Sequence, residues 1–491
     1  MTKIRCRARL GLLAALVCIL FQGTSCHQSV RLPEVASPLP DRARKSAAVA
    51  ERILADPDLP YVLEKARAVL GSGLNAGSGY GEVWIRDFNT FIELSLQVRD
   101  SRSIRQALLV FFHFQPEDGN IIDGYIPAAK ASAGYDYTES ETMPQFKGHK
   151  NTVETDQESS LVQAVYKYVQ VTGDRSILQE TVNEKSVLSR LQLALDYVLS
   201  RRFDTDYGLV WGATTVDWGD VQPEHEWGVA FDQSSHRAID VYDNAMFVIA
   251  ADNLVELLRD SGADSSRWSA ARDRVRSNAR RYLWDARRHK FRPHIYLDGS
   301  PFPADFEEDR IYYHGGTAIA IEAGFLNRDE IGLVLKDLRN NVRFAGAASI
   351  GLTVFPAYPS GYFKNPAMKP YSYQNGGDWS WFGGRMIQQL IEHGFVEDAY
   401  TELIPMLQRV RRNNGFFEWY TVDDQPRGSG TFRGSAGVLG KAVLMLQSWA
   451  EESRRPAPNP SPSVTSEMES ASSSEQFEGD PQLLRSKFAF R

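Results

Sequence analysis

Cysteine is nearly missing from this chain of 491 residues: there are three, Cys6, Cys18 and Cys26, all within the first 26 positions. The rest of the sequence can form no internal disulfide and supplies no cysteine set for a structural metal. Nine histidines are scattered without a His-x-x-x-His spacing, so no metal is expected, and no cofactor either. Positive charge is also short. Lys and Arg number 55 against 62 Asp and Glu, for a formal net charge of -7, and no basic stripe runs through the body, which excludes a general nucleic-acid binder. The apolar run from Leu10 to Phe21 is too short to span a bilayer. No fixed repeat length recurs, which excludes a straight solenoid.

What is present at the two ends reads as address and tail. Lys3, Arg5, Arg7 and Arg9 form a basic region ahead of Leu10 to Phe21, and Gly23-Thr24-Ser25 lead into Cys26. This pattern over residues 1–25 resembles the signal peptide and lipobox of bacterial lipoproteins, with Cys26 as the lipid-modified residue. The expectation is export and attachment to a bacterial cell envelope, with membrane contact only through the lipid; plain secretion is the competing reading. Residues 26–45 are expected to form a tether and 46–452 the folded domain. Residues 453–491, rich in Pro and Ser (Pro456, Pro458, Pro460, Pro462, Ser472 to Ser474), are expected to be a disordered tail.

Across the body the hydrophobic periodicity is helical. Helices are predicted over Tyr61 to Leu70, Thr90 to Val98, Arg102 to His113, Gln157 to Val171, Val187 to Ser200, Ala238 to Leu258, Ser266 to Leu283, Thr317 to Glu322, Arg328 to Leu338, Trp381 to His393, Val396 to Arg411 and Ser435 to Ala450. Some are apolar all round in part, such as Ala245 to Ala251. Others carry a charged face, such as Asp398 to Arg412. A dozen helices alternating between buried and half-exposed predict an all-α fold, the (α/α)6 barrel or six-hairpin toroid, with long loops at one mouth.

The chemistry concentrates where such loops would enter inner helices. Trp211 to Asn244 holds Asp217, Trp218, Asp220, Glu224, Glu226, Asp232, Asp240 and Asp243 with Trp211 and Trp227. Carboxylates move protons at a glycosidic bond, and indole faces stack on sugar rings and exclude water. Similar mixtures occur at Gly77 to Asn89, with Trp84, Arg86 and Asp87, and at Asn151 to Glu158, where Thr155 or Asp156 is the predicted N-cap. They occur again at Tyr373 to Gly384, with Asn375, Asp378, Trp379 and Trp381, and at Gly415 to Tyr420, where Glu418 stands between Phe417 and Trp419. Arg86 next to Asp87 reads equally as a grip on hydroxyls or as a bridge pinning a helix start.

With these motifs in hand, the chain resembles the six-hairpin glycosidases, and within them the alkaline and neutral invertases. Trp84-Ile-Arg-Asp-Phe is similar to their Phe-Ile-Arg-Asp-Phe, and Val153 to Asp174 to their helix ending in Thr-Gly-Asp. Asn375-Gly-Gly-x-Trp is similar to their Asn-Gly-Gly-Ser-Trp, Phe417-Glu-Trp-Tyr to their Pro-Glu-Tyr-Tyr, and the segment from Ser435 to their Ser-Ile-Ala-Gly repeat. The resemblance implies a general acid at Asp217 and a general base at Glu418. The family's Ile-Asp-Arg-Arg-Met-Gly context is replaced here by Val216-Asp-Trp-Gly-Asp, so Asp220 is a rival for the acid, with Asp232 behind it; trehalases also resemble this chain in placing a catalytic Asp near a Trp, here Trp218.

The expected function is hydrolysis of a glycosidic bond in an oligosaccharide or glycoside with inversion, without metal. Arg86, Asp87, Trp84, Asp156, Trp218, Asn375, Asp378 and Trp379 are expected to hold the sugar. Two other classes stay open. One is a sugar epimerase or polysaccharide lyase, with Tyr312, Tyr313 and His314 as proton carriers. The other is a glycan-binding surface lipoprotein without catalysis.

Overall fold

Four of the helices begin where a short polar side chain serves the first free amides. Asp100 accepts from the Arg102 amide to start α4 (Ser101–His113), Ser186 from the Ser189 amide to start α6 (Val187–Arg201), and Asp240 from the Asp243 amide to start α7 (Val241–Asp260). Asn327 and Glu330 form a reciprocal capping box at α10 (Arg328–Ala345), which ends on Gly346 at φ 72°. The other helices are α1 (Leu39–Ala55), α2 (Asp58–Gly71), α3 (Ile85–Ser95), α5 (Gln157–Thr172), α8 (Ser266–Leu283), α9 (His314–Glu322), α11 (Ser380–Glu392), α12 (Val396–Asn413) and α13 (Arg433–Arg454). The computed structural model describes residues 39–132, 136–226 and 229–454. Cys26, Trp227, the expected signal peptide and all but the first two residues of the expected tail lie outside the described residues.

Two burial patterns sort these helices into layers. In α8 only Trp268, Ala271, Val275, Ala279 and Leu283 are buried, a single stripe at intervals of three and four, as an outer helix requires. In α3 every residue except Glu93 is buried, and α7 is buried without a break from Val241 to Ala251. The fully buried helices contact one another in sequence: α3 on α5, α5 on α7, α7 on α9, α9 on α11, α11 on α13, and α13 back on α3. Six inner helices therefore close a ring, with α2 before the first of them and α4, α6, α8, α10 and α12 between them in the chain. All twelve predicted helices are present, and the architecture is the (α/α)6 barrel.

The connections show which end is the mouth. Most links from inner to outer helices are short, such as Ser261–Ser265 and His393–Phe395, with 173–186 the exception, whereas those from outer to inner helices include the longest, over 114–156, 202–240, 284–313, 346–379 and 414–432. All the long loops therefore gather at the N-terminal ends of the inner helices. They are stiffened there by small antiparallel sheets: Val83–Trp84, Gly124–Pro127 and Phe146–His149 in one, with Trp84 opposite Gly124 and Gly124 opposite His149; and Gly212–Ala213, Arg237–Ile239 and Ile295–Tyr296 in another. Tyr312–Tyr313 pairs with Val354–Phe355, and Trp419–Tyr420 with Pro426–Arg427.

Several boundaries differ from expectation. A compact unit begins at Ser46, yet α1 is already helical from Leu39, so the stretch assigned to a tether over 26–45 is helix over 39–45. α7 starts later than predicted, at Val241 rather than Ala238, because Ala238 and Ile239 pair as strand, whereas α3 and α9 start earlier, at Ile85 rather than Thr90 and at His314 rather than Thr317. Their first turns carry polar residues that are nonetheless buried, which apolar periodicity does not register.

Candidate active site

The loop Val216–Asp220 enters the mouth between α9 and α11. The Gly219 amide donates to the Val216 carbonyl at 2.8 Å, closing a turn that puts Asp217 at φ 56°. The turn directs its two carboxylates to different places. Asp217 is buried, and its Oδ2 and Oδ1 accept from the amides of Gly315 and Gly316 at 2.8 and 2.7 Å, in the first turn of α9. A Cβ on Gly316 would stand 2.4 Å from Asp217 Oδ1, and one on Gly315 2.2 Å from the Trp218 ring, so the glycine pair is what lets the loop seat. Burial pushes the Asp217 carboxyl up to about 8 against the pull of those two amides. The void it borders, shared with Arg86, Glu154, Asp240 and Asp243, is about 10 Å³, room for a single water and no sugar.

Asp220 is half-buried and has a different partner. Its Oδ1 accepts from Gln374 Nε2 at 2.6 Å, and its amide donates to Gln374 Oε1 at 3.2 Å. Its charge acts on Asp87, Asp123, Glu154, Glu418, Tyr80 and Tyr373, groups that come from five different loops or helix starts. These side chains lie within reach of the Asp220 charge, and the space between them at the mouth is the candidate hollow.

Glu418 forms the other wall. Its backbone amide donates to the Ser429 carbonyl at 2.9 Å, Oε2 accepts from the Ser429 amide at 3.1 Å and Oε1 from the Tyr80 hydroxyl at 3.0 Å. Gly428, at φ 68°, leaves the space: a Cβ there would be 2.3 Å from Glu418 Oε2. Burial raises the Glu418 carboxyl; the Ser429 amide and Tyr80 hydroxyl oppose this, and the Asp220 charge adds to it. Burial likewise takes Asp87 up to about 8 and Asp123 up to about 7, with Arg86 opposing and Asp220 reinforcing in both. Asp87 Oδ1 is buried and has no hydrogen-bond partner among the described residues.

The remaining expected sugar contacts are mostly committed elsewhere. Arg86 does not pair with Asp87. Its Nε meets Asp156 Oδ2 at 2.6 Å, a terminal nitrogen meets Glu154 Oε1 at 2.5 Å, and the other donates to the Trp218 carbonyl at 3.0 Å, so it ties the starts of α3 and α5 to the Val216–Asp220 loop. Asp156 is not a side-chain cap; it accepts from Arg86 and from the Tyr242 hydroxyl at 2.7 Å. Asn375 is fully buried, accepting from the Tyr358 amide and donating to the carbonyls of Tyr358 and Met368. Asp378 is fully buried on Ser349 and Arg409, and its backbone pairs with Tyr420, which sets the strand that carries Glu418.

Trp218 and Trp379 are 1% and 2% exposed. Trp218 stacks on Phe382 at 4.3 Å and meets the edge of Trp379 at 4.8 Å, so both indoles are floor beneath the hollow rather than faces open to a sugar. Trp84 is half-buried and packs edge-on to His149. Half-buried Tyr80, Tyr373 and Trp419 supply the aromatic wall instead. Asp232 is exposed and closes its own turn with Ser234 and His225.

The proton carriers of the epimerase or lyase reading do not converge on the hollow. The Tyr312 hydroxyl donates to the Arg288 carbonyl, Tyr313 pairs with Tyr358 at 2.7 Å, and His314 is buried against Asn341, held down at about 3 by burial. Tyr80, Asp123 and Gln374 were not among the expected site residues. Tyr80 and Gln374 do lie inside the singled-out motifs, one residue before Gly81 and one before Asn375. A cavity of about 510 Å³ lies elsewhere, lined by His113, Phe114, Asn120, Thr138, Thr142 and Lys150 among others and by none of Asp87, Asp220 and Glu418. Among the described residues no group of three or more His, Cys, Asp or Glu is placed to hold a metal ion.

Comparison with known proteins agrees with this architecture. Residues 60–373 match the Glycosyl hydrolase 94 superfamily, catalytic domain; the match includes Asp220 and stops short of Glu418. The chain is similar to the GH63 mannosylglycerate hydrolase from Thermus thermophilus solved with glucose, at TM-score 0.57 and 16% identity, over 79% of this chain and 99% of that one. It is also similar to the GH78 family rhamnosidase of Bacillus sp. GL1, at TM-score 0.51 and 15% identity, over 78% of this chain and 34% of that one. A third likeness is to a rhamnosidase from Klebsiella oxytoca with rhamnose bound, at TM-score 0.51 and 13% identity, over 79% and 63%. At such identities these likenesses speak for the fold alone, and among curated proteins none matches by sequence. With the match covering well over half of its length, the chain belongs to the Glycosyl hydrolase 94 superfamily and is a glycosidase.

Proposed function

We propose that this glycosidase hydrolyses its substrate with inversion, Asp220 serving as general acid and Glu418 as general base. The observation that carries the reading is the divergence at the Val216–Asp220 turn. Asp217 has both oxygens occupied by the α9 amides, whereas Asp220 lies within reach of the Glu418 charge and, among the described residues, only its Oδ1 accepts a hydrogen bond. In this reading Asp220 Oδ2 gives its proton to the glycosidic oxygen as the bond from the anomeric carbon breaks. Water attacks that carbon from the opposite face and passes a proton to Glu418, so one water is consumed and the two carboxyls exchange protonation states before resetting with solvent. The geometry needs the carboxyls about 6.5–9.5 Å apart to admit that water. Asp87 and Asp123, both raised toward neutrality, would accept or donate to sugar hydroxyls.

The invertase resemblance contributes the role of Glu418 and carries no claim to sucrose. Export and lipid attachment at Cys26 belong to the same reading, on the strength of the leader pattern alone; loss of labelled-palmitate incorporation in Cys26→Ser tests them. For the chemistry, a panel of glycosides is incubated with wild type and the first-formed anomer followed by NMR. Inversion is expected, and a retained configuration overturns the proposal. The roles separate with a glycosyl fluoride of the accepted sugar, whose leaving group needs no proton: Asp220→Asn should keep most turnover of the fluoride while losing that of an alkyl glycoside, and Glu418→Gln should lose both.

A further inference from the structure

We propose that Gln374 is a positioning residue for the acid, fixing the orientation of Asp220 and selecting Oδ2 as the oxygen that carries the proton. This rests on the reading of Asp220 as the acid. The contact is reciprocal: the Gln374 amide donates to Asp220 Oδ1 at 2.6 Å and accepts from the Asp220 backbone amide at 3.2 Å, so one side chain sets both the main-chain position of the acid and its rotation. An oxygen that already accepts a short N–H bond is the poorer place for the proton, which leaves Oδ2 as the hydroxyl oxygen facing the hollow.

Gln374 is itself held firmly. It is 2% exposed and lies in a tight turn where Ser372 and Asn375 bridge and Tyr371 and Tyr373 take positive φ, while the neighbouring Asn375 side chain is bonded three ways to Tyr358 and Met368. Gly219 completes the arrangement, since a Cβ there would come within 2.6 Å of Gln374 Oε1.

The experiment compares wild type, Gln374→Met, Gln374→Asn and Asp220→Asn on an alkyl glycoside and on the fluoride of the same sugar. Gln374→Met keeps volume and removes the donor. The expected result is a kcat on the alkyl glycoside lower by about 10- to 100-fold, a much smaller loss on the fluoride and an unchanged KM; Gln374→Asn should recover part of the lost kcat. Equal losses on both substrates in Gln374→Met, or no loss on either, overturn the positioning role. If Asp220→Asn keeps full activity on the alkyl glycoside, the acid assignment itself has failed and the role of Gln374 falls with it.

Discussion

Charged side chains gather in two regions of the ring interior, and the two are built on opposite rules. Farther along the inner helices from the mouth, Lys441 on α13 meets Glu93 on α3 at 2.6 Å, Arg385 on α11 meets Glu322 on α9 at 2.8 Å, and Lys167 on α5 donates to Asn89. Burial pushes Glu322 up, but Arg385 and Lys167 overcome it and hold the carboxyl down at about 2. At the mouth Asp87, Asp123, Glu154, Asp220 and Glu418 face one hollow. Arg86, the cation among them, is bonded to Glu154 and Asp156, and Asp87 rises to about 8 instead. Paired charges tie helices together. Unpaired carboxyls are a cost to the fold that a site for proton transfer can use.

The sharpest way to break this contrast lies within the mouth loop itself. Asp220→Asn should lower kcat on poor leaving groups by about 10²–10⁴-fold with little change in stability. Asp217→Asn should instead cost stability while the folded protein keeps most of its turnover, as separate denaturation and rate measurements would show. A reversal of the two outcomes would exchange their roles. Next in size, Arg385→Met should destabilise the chain by about 3 kcal/mol by stranding Glu322, with activity per folded molecule within about twofold of wild type.

The pH dependence has opposite signs in the two regions. A carboxyl held down, as Glu322 is, adds stability above its unfolded pKa that is lost as pH falls toward about 2. A carboxyl raised to about 8, as Asp87 is, adds stability below its unfolded pKa that is lost as pH rises through about 8. Asp87→Asn should therefore be more stable than wild type at pH 8, by on the order of 2 kcal/mol, and nearly equal at pH 4 in urea titrations, while its activity falls. The smallest effect is expected from Gly428→Ala, whose Cβ displaces Glu418 Oε2: kcat lower by about tenfold, as measured on any accepted glycoside.

The barrel was legible because its signal is repeated. Twelve amphipathic or buried segments each carry their own periodicity, and α8 was predicted over its full observed span, Ser266–Leu283. What escaped were the first turns of inner helices, where Arg86, Asp87 and Asn89 are polar and buried together. Glu418 and Asp220 could be named from their motifs. The direction in which a side chain points could not, and this is why Trp218, Trp379, Asn375 and Asp378 were assigned to sugar when they are floor and scaffold. Gln374 meets its partner 154 residues away, through a turn whose positive φ values no residue pattern announces.

The seam between α13 and α3 joins the last inner helix to the first, and its Lys441–Glu93 bridge spans 348 positions of sequence. Until the final helix docks, the wall is an open curve with two raw apolar edges, on α3 and on α11. A chain emerging N-terminus first would carry that gap through most of its synthesis, so closure by α13 is the step at which aggregation competes most directly with folding.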